Sequence, residues 1–203
     1  VSARRPSWRL AAAAAIACVC AGAARADAPG WRVSHADVRV TCRLTVGGSF
    51  EARTAALTGA VAPTSPRPPA FGGSLALDLR TLETGIGLRD QHMRDTYLEV
   101  GRGEGFDTAV LSDLRLGDVD LQSFRGRTEF TGTLLLHGVR KPVTGKVEVR
   151  RGGDAVDLQA TFPVTLSEFG IARPAYLGVG VADVVQVKVA LSAQPAAVSA
   201  STR

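Results

Sequence analysis

The chain has 203 residues, enough for one well-buried domain and short for two. Its 45% hydrophobic and 21% charged residues make a globular composition and exclude a disordered one. The formal net charge of +5 is concentrated at the start: without the four arginines of residues 1–26, the 24 basic residues fall to 20 against 19 acids, leaving a nucleic-acid or polybasic membrane partner without support.

Residues 1–26 read as a secretory signal. Arg4, Arg5 and Arg9 form a positive start, residues 10–24 are an uninterrupted apolar run of 15, and Ala24-Arg25-Ala26 is a small-x-small cleavage site. The expectation is export to the periplasm with cleavage after Ala26. The run is too short to cross about 30 Å of hydrocarbon comfortably, and no later stretch approaches a membrane-spanning length. An alternative is a lipid on Cys18, from a lipobox-like Ala15-Ile16-Ala17-Cys18 with Ala where Leu is usual. Cys18 and Cys20 would leave with the signal, so Cys42 stands alone and forms no intramolecular disulfide. It reads either as a half-buried strand residue or as a reactive thiol. The chain has no Asn, which excludes N-linked glycosylation.

From residue 31 onward the hydrophobic period is two. Strands are predicted over 31–46 and 49–61, with Gly47-Gly48 between them. The stretch 62–70, with four prolines, reads as an extended loop. Leu75, Leu77 and Leu79 alternate with polar or small residues, and 108–116 is another strand, with a turn at Gly117-Asp118. Phe130, Gly132, Leu134 and Leu136 face away from Glu129, Thr131 and Thr133. Gly152-Gly153 is a hairpin turn between a strand carrying Val143, Val147 and Val149 and one carrying Val156, Leu158, Ala160, Phe162 and Val164. Val185, Val187, Val189 and Leu191 form the last strand, and residues 192–203 read as a disordered tail. The single helical candidate is 86–98, where Met93 and Tyr97, and Asp90 and Arg94, stand four apart. About eight strands, each with one apolar face and two of them long, favour a closed sheet over a flat sandwich.

Catalytic templates fail. Gly72-Gly73-Ser74-Leu75-Ala76 lacks the last Gly of a nucleophile elbow and leads into a strand. Gly178-Val179-Gly180 has neither the third Gly nor the helix of a dinucleotide loop, and His35, His92 and His137 lack zinc-ligand spacing.

Two polar clusters interrupt the strands: Arg89-Asp90-Gln91-His92-Met93, and Thr133-Leu134-Leu135-Leu136-His137-Gly138-Val139-Arg140-Lys141-Pro142-Val143. Together they resemble the R-D-x-H-L/M helix and the L-T-x-H-G-V-x-K-P-V turn of the YceI-like family of lipocalin-like, polyisoprenoid-binding proteins. Gly48-Ser49-Phe50, Tyr97-Leu98-Glu99-Val100 and Ser167-Glu168-Phe169-Gly170-Ile171 extend the likeness over 31–191. Two departures stand out. Residues 103–111 lack the family's y-P-x-x-x-F proline, and Ser34-His35-Ala36-Asp37 is a degraded form of its first-strand D-x-x-H-S.

The resemblance implies an all-β, lipocalin-like antiparallel eight-stranded barrel with one short helix near its mouth, occupying 27–191. It further implies a carrier of a lipid-like molecule, an isoprenoid, fatty acid or fatty amide, with no cofactor, no metal and no catalysis. The expected lining is Leu75, Leu77, Phe130, Leu134, Leu136, Phe162, Val185 and Val187. Met93 and Tyr97 are expected to form a lid, and Arg89, His92, His137 and Lys141 to meet a polar head group. The polar residues could instead tie the helix and a turn to the barrel. A stress-response interaction module with a filled core is the alternative function, an isoprenoid-acting enzyme using Asp90 and His92 a third. The oligomeric state is left open, a homodimer included.

Overall fold

A computed structural model of the chain describes residues 30–120, 123, 125–176 and 179–196. The expected signal segment, with its cleavage site and Cys18, lies outside the described residues. The strands are β1 (Trp31–Arg43), β2 (Ser49–Thr54), β3 (Leu57–Pro66), β4 (Pro69–Asp78), β5 (Thr108–Leu116), β6 (Gly126–Leu136), β7 (Val139–Gly152), β8 (Ala155–Thr165), β9 (Ala175–Tyr176), β10 (Val179–Gly180) and β11 (Val184–Pro195). Antiparallel ladders run β1-β3-β4-β5-β6-β7-β8-β11, and β11 returns to β1. This is a closed eight-stranded barrel, joined between β1 and β3 by the short pairing of Trp31 and Arg32 with Val61 and Ala60. β2 supplements it by pairing with the second half of β1, Val38–Arg43, while β3 meets the first half at Trp31 and Arg32.

Alternation sets which residues point inward. Along β6 the buried positions are Phe130, Gly132, Leu134 and Leu136, and along β8 Phe162 and Val164 are buried while Gln159, Thr161 and Pro163 are exposed. Glu129 and Lys188 are exposed, as their register requires. A bulge in β5 between Ser112 and Arg115, with Asp113 at φ 52°, puts Leu111 and Leu114 on the same face.

Several local expectations are corrected. The proline-rich stretch is not a loop: Pro63 pairs with Phe71 and Pro66 with Pro69, closing the β3–β4 hairpin around Arg67-Pro68. Beyond the Trp31–Val61 pair, β3 has only β4 as a described ladder partner, so prolines there cost no second set of bonds. The predicted second strand breaks into β2 and β3 at residues 55–56. In the β7–β8 hairpin Gly152 pairs with Ala155, so the turn is Gly153-Asp154, with Gly153 at φ 64°. β11 continues to Pro195, past the expected boundary at Leu191, and 197–203 lie outside the described residues.

The helical candidate forms as α1 (Gly87–His92), continued by a π turn at Met93–Tyr97. The π turn is closed by the Leu98 amide donating to the Met93 carbonyl at 2.9 Å. Short 3-10 turns sit at Leu79–Thr81, Val100–Arg102 and Leu166–Phe169. Strand directions place α1 and all these turns at one end of the barrel. The β3–β4 and β7–β8 hairpin tips, the β5–β6 connection, the start of β1 and the end of β11 lie at the other.

Candidate functional site

The barrel encloses a cavity of about 290 Å³. Inward side chains from β1, β3 to β8 and β11 line it, from Trp31, Val33 and Phe71 at the hairpin end to Leu79, Leu82, Leu98 and Ile171 at the helical end. Midway, Phe130 and Phe162 meet edge to face with centroids 5.7 Å apart. That crossing needs Gly145 on β7: a Cβ there would lie 2.6 Å from both the Phe130 ring and the Phe162 Cβ.

The two ends differ. At the helical end Leu79, Leu82, Phe169, Ile171 and Val185 are all 5% exposed or less. At the hairpin end Trp31, Val33, Val61, Phe71, Leu116 and Val156 are only half-buried. Among the described residues the barrel is therefore stoppered at the helical end by the 3-10 turns and the segments flanking them, and open between the hairpins.

Eight of the expected lining residues, Leu75, Leu77, Phe130, Leu134, Leu136, Phe162, Val185 and Val187, do face the cavity. The other six stand outside its lining. His92 is exposed and Met93 half-buried. Tyr97 packs against the core beside Leu98, and it is Leu98 that reaches the cavity. The reason is the π turn, which advances the helix face relative to a regular α-helix, so spacing by four no longer aligns Met93 with the barrel axis.

The polar motif residues are tied into the stopper. Asp90, 6% exposed, accepts from the Thr84 amide at 2.7 Å and from its hydroxyl at 2.5 Å. Desolvation pushes the Asp90 carboxyl up, but the Thr84 bonds and the Arg94 and Arg89 guanidinium groups outweigh it and hold it below the usual range. Arg89 Nε donates to the Thr84 hydroxyl at 2.8 Å, and its guanidinium lies 4.3 Å over the Phe50 ring. Arg94 donates to the Arg80 carbonyl at 3.0 Å.

His137 and Gly138 form the two-residue β6–β7 turn with φ of 52° and 74°. Positive φ at both positions is what a type I′ turn needs, and His and Gly tolerate it. The His137 ring meets the Phe169 carbonyl at 3.0 Å and Glu99 Oε2 at 2.9 Å, with Phe106 edge-on at 4.7 Å. Glu99 also accepts from Arg102, which lowers its carboxyl most, with His137 adding to the effect. Lys141 pairs with Leu134 and shares its inward face, yet it is not among the cavity-lining residues.

Reasoning from motifs missed Arg151 and Trp31. Among the described residues Arg151 is the charged one in the cavity lining, and every other lining side chain is aliphatic or aromatic. The signal was in the alternation: Val143, Gly145, Val147, Val149 and Arg151 share one parity of β7. Cys42 is half-buried, and burial pushes its thiol up to about 11, with Arg89 opposing weakly. Among the described residues no group of three His, Cys, Asp or Glu could hold a metal ion, and no helix is long and apolar enough to cross a membrane.

A closed antiparallel barrel with an apolar interior and one stoppered end is a lipocalin-like architecture. The sequence matches the YceI-like domain family over residues 27–193, and the chain belongs to that family. Solved structures share the fold. A polyisoprenoid binding domain from Saccharophagus degradans, implicated in plant cell wall breakdown, superposes with a TM-score of 0.61 at 16% identity, covering 82% of this chain and 98% of that one. BcnA of Burkholderia cenocepacia gives a TM-score of 0.61 at 17% identity, over 77% and 95%. A Campylobacter jejuni YCEI protein gives 0.53 at 15% identity, over 69% and 81%. No curated protein matches the chain.

Proposed function

We propose that this protein is a non-catalytic periplasmic carrier that holds one long apolar or amphipathic molecule, an isoprenoid or fatty-acid derivative, inside the barrel. The observation that carries the reading is the cavity of about 290 Å³ with an almost wholly apolar lining. Its volume lies at the low end of small-molecule pockets, about 300–1,000 Å³, which suits a single slender chain. The eight residue steps from Val156 to Val164 along β8, at about 3.3 Å each and tilted about 40°, give a depth of roughly 20 Å. That exceeds half of a roughly 30 Å hydrocarbon core, so a chain from one leaflet can be taken up whole.

The driving force is burial, about 0.8 kcal/mol for each CH₂ removed from water. Apolar walls offer no hydrogen bonds, so length and girth select the chain. Membership of the YceI-like family and the fold shared with the Saccharophagus polyisoprenoid binding domain support the ligand class. A carrier needs neither base nor nucleophile. Asp90 is engaged by Thr84, and His92 lies exposed on the outside of the stopper.

The test is organic-solvent extraction of the protein purified from its native host, followed by mass spectrometry. A near-stoichiometric isoprenoid or fatty-acid species is the expected result. A clean extract from protein purified without detergent would instead favour the filled-core interaction module.

A further inference from the structure

We propose that the open mouth is an anionic head-group site built on Arg151 and Trp31, and that it fixes the ligand's orientation, head at the hairpins and tail toward the stopper. The inference rests on the carrier reading and adds the polar chemistry of the same ligand.

The consecutive arginines at the end of β7 are split by the strand's pleat. Arg150 turns outward and pairs with Glu148 at 2.8 Å, an ordinary surface ion pair. Arg151 has the opposite parity, two residues beyond Val149, and enters the lining of an apolar cavity. A guanidinium is costly against an apolar wall unless it reaches water or a partner. Here the stem can lie along the wall while the head stays at the mouth, where the residue is half-buried.

The head is also placed. The Arg151 guanidinium sits 5.7 Å from the centroid of the Trp31 ring. Trp31 belongs to β1, which is separated from β7 in the barrel by β11 and β8. The contact therefore crosses the mouth instead of following a ladder. A guanidinium carries five N–H donors, so it can keep the partners it has and still donate to an anion. A planar fork of this kind matches a carboxylate or a phosphate oxygen pair.

Among the described residues the rest of the lining supplies no side-chain hydrogen-bond donor other than the Trp31 indole N–H, so a polar ligand terminus finds its described partners at the mouth. Arg89, with Thr84 and Phe50, and His137, with Glu99 and Phe169, lie at the other end and outside the cavity lining. A cationic head would be repelled at the mouth, and a neutral one would gain less than an anion.

The test uses delipidated protein titrated calorimetrically with hexadecanoate, hexadecyl phosphate and hexadecanol at one ionic strength. Wild type is expected to bind at least one anion about tenfold more tightly than the alcohol. Arg151→Gln should abolish that preference while leaving alcohol binding within about twofold, which also shows that the variant is folded. Arg151→Lys should keep part of the preference. The anion whose affinity falls more in Arg151→Gln identifies the head group as carboxylate or phosphate. Equal wild-type affinity for anions and alcohol overturns the head-group site while leaving the carrier reading intact, as does a preference that survives Arg151→Gln. Binding of none of the three by wild type overturns the carrier reading and this inference with it.

Discussion

Asp90 and Cys42 illustrate how much of a side chain's behaviour is set by its immediate neighbours. The Asp90 carboxylate closes the loop before α1 by accepting both the amide and the hydroxyl of Thr84. Replacing it with Ala leaves those donors without their acceptor, and a loss of about 2 kcal/mol in urea unfolding is expected. Because the folded carboxyl titrates below its unfolded value near 3.9, the stabilisation is fully present above that pH and disappears as pH falls through the lower folded value. Asp90→Asn should therefore flatten the acid limb of a stability–pH profile below about pH 4, and an unchanged limb would contradict the assignment. At Cys42 burial raises the thiol from 9.0 to about 11, which lowers the thiolate fraction at pH 8 roughly 100-fold. Peptide mapping after iodoacetamide treatment should show Cys42 nearly unlabelled in the native protein and fully labelled in urea. Rapid native labelling would restore the reactive-thiol reading.

Within single elements, the strands and the extent of the helix were largely legible, and the face that the helix turns to the core was not. Strand β5 falls at 108–116 as alternation and its flanking turn indicate, and Phe130, Phe162 and Val187 face inward. Period two depends only on the pleat, which local sequence dictates. Its failures have physical causes. The bulge at Asp113 breaks the parity of Leu111 and Leu114, and the prolines of 62–70 are tolerated because the tip of β3 has lost its other ladder. The π turn at Met93–Tyr97 moves the core contact to Tyr97 and Leu98. Met93→Asp should accordingly leave lipid occupancy unchanged in a folded protein. Parallel loss of occupancy and retention of fold would reinstate the lid. On β7, Gly145→Ala should cost about 2 kcal/mol, or roughly 4–8 °C in Tm, because the added methyl meets Phe130, Phe162 and the Thr161 carbonyl. A wild-type Tm would mean that the two rings do not cross there. The motif residues were legible as a pair of landmarks, and of the two roles open to them the structure displays a structural one at 137–138, where His-Gly answers the backbone demand of a two-residue hairpin.

At the scale of the whole molecule, eight strands close around an apolar space that, among the described residues, is stoppered by the 3-10 turns and their flanks and open between the hairpins. The strands supply most of the buried core, with Leu79, Leu82, Phe169 and Ile171 closing the helical end, and the interior is left incompletely filled. A cavity of this kind binds by area. The affinity of straight-chain carboxylates should therefore rise about fourfold for each added CH₂, the equivalent of about 0.8 kcal/mol, until the tail meets Phe130 and Phe162 or the stopper, and then level off. Titrating delipidated protein with a series from octanoate to docosanoate measures this directly. A steep rise followed by a plateau, lost when Ala160→Trp fills the cavity, is the result the account predicts. Affinity independent of chain length, or unaffected by Ala160→Trp in a folded variant, would contradict it.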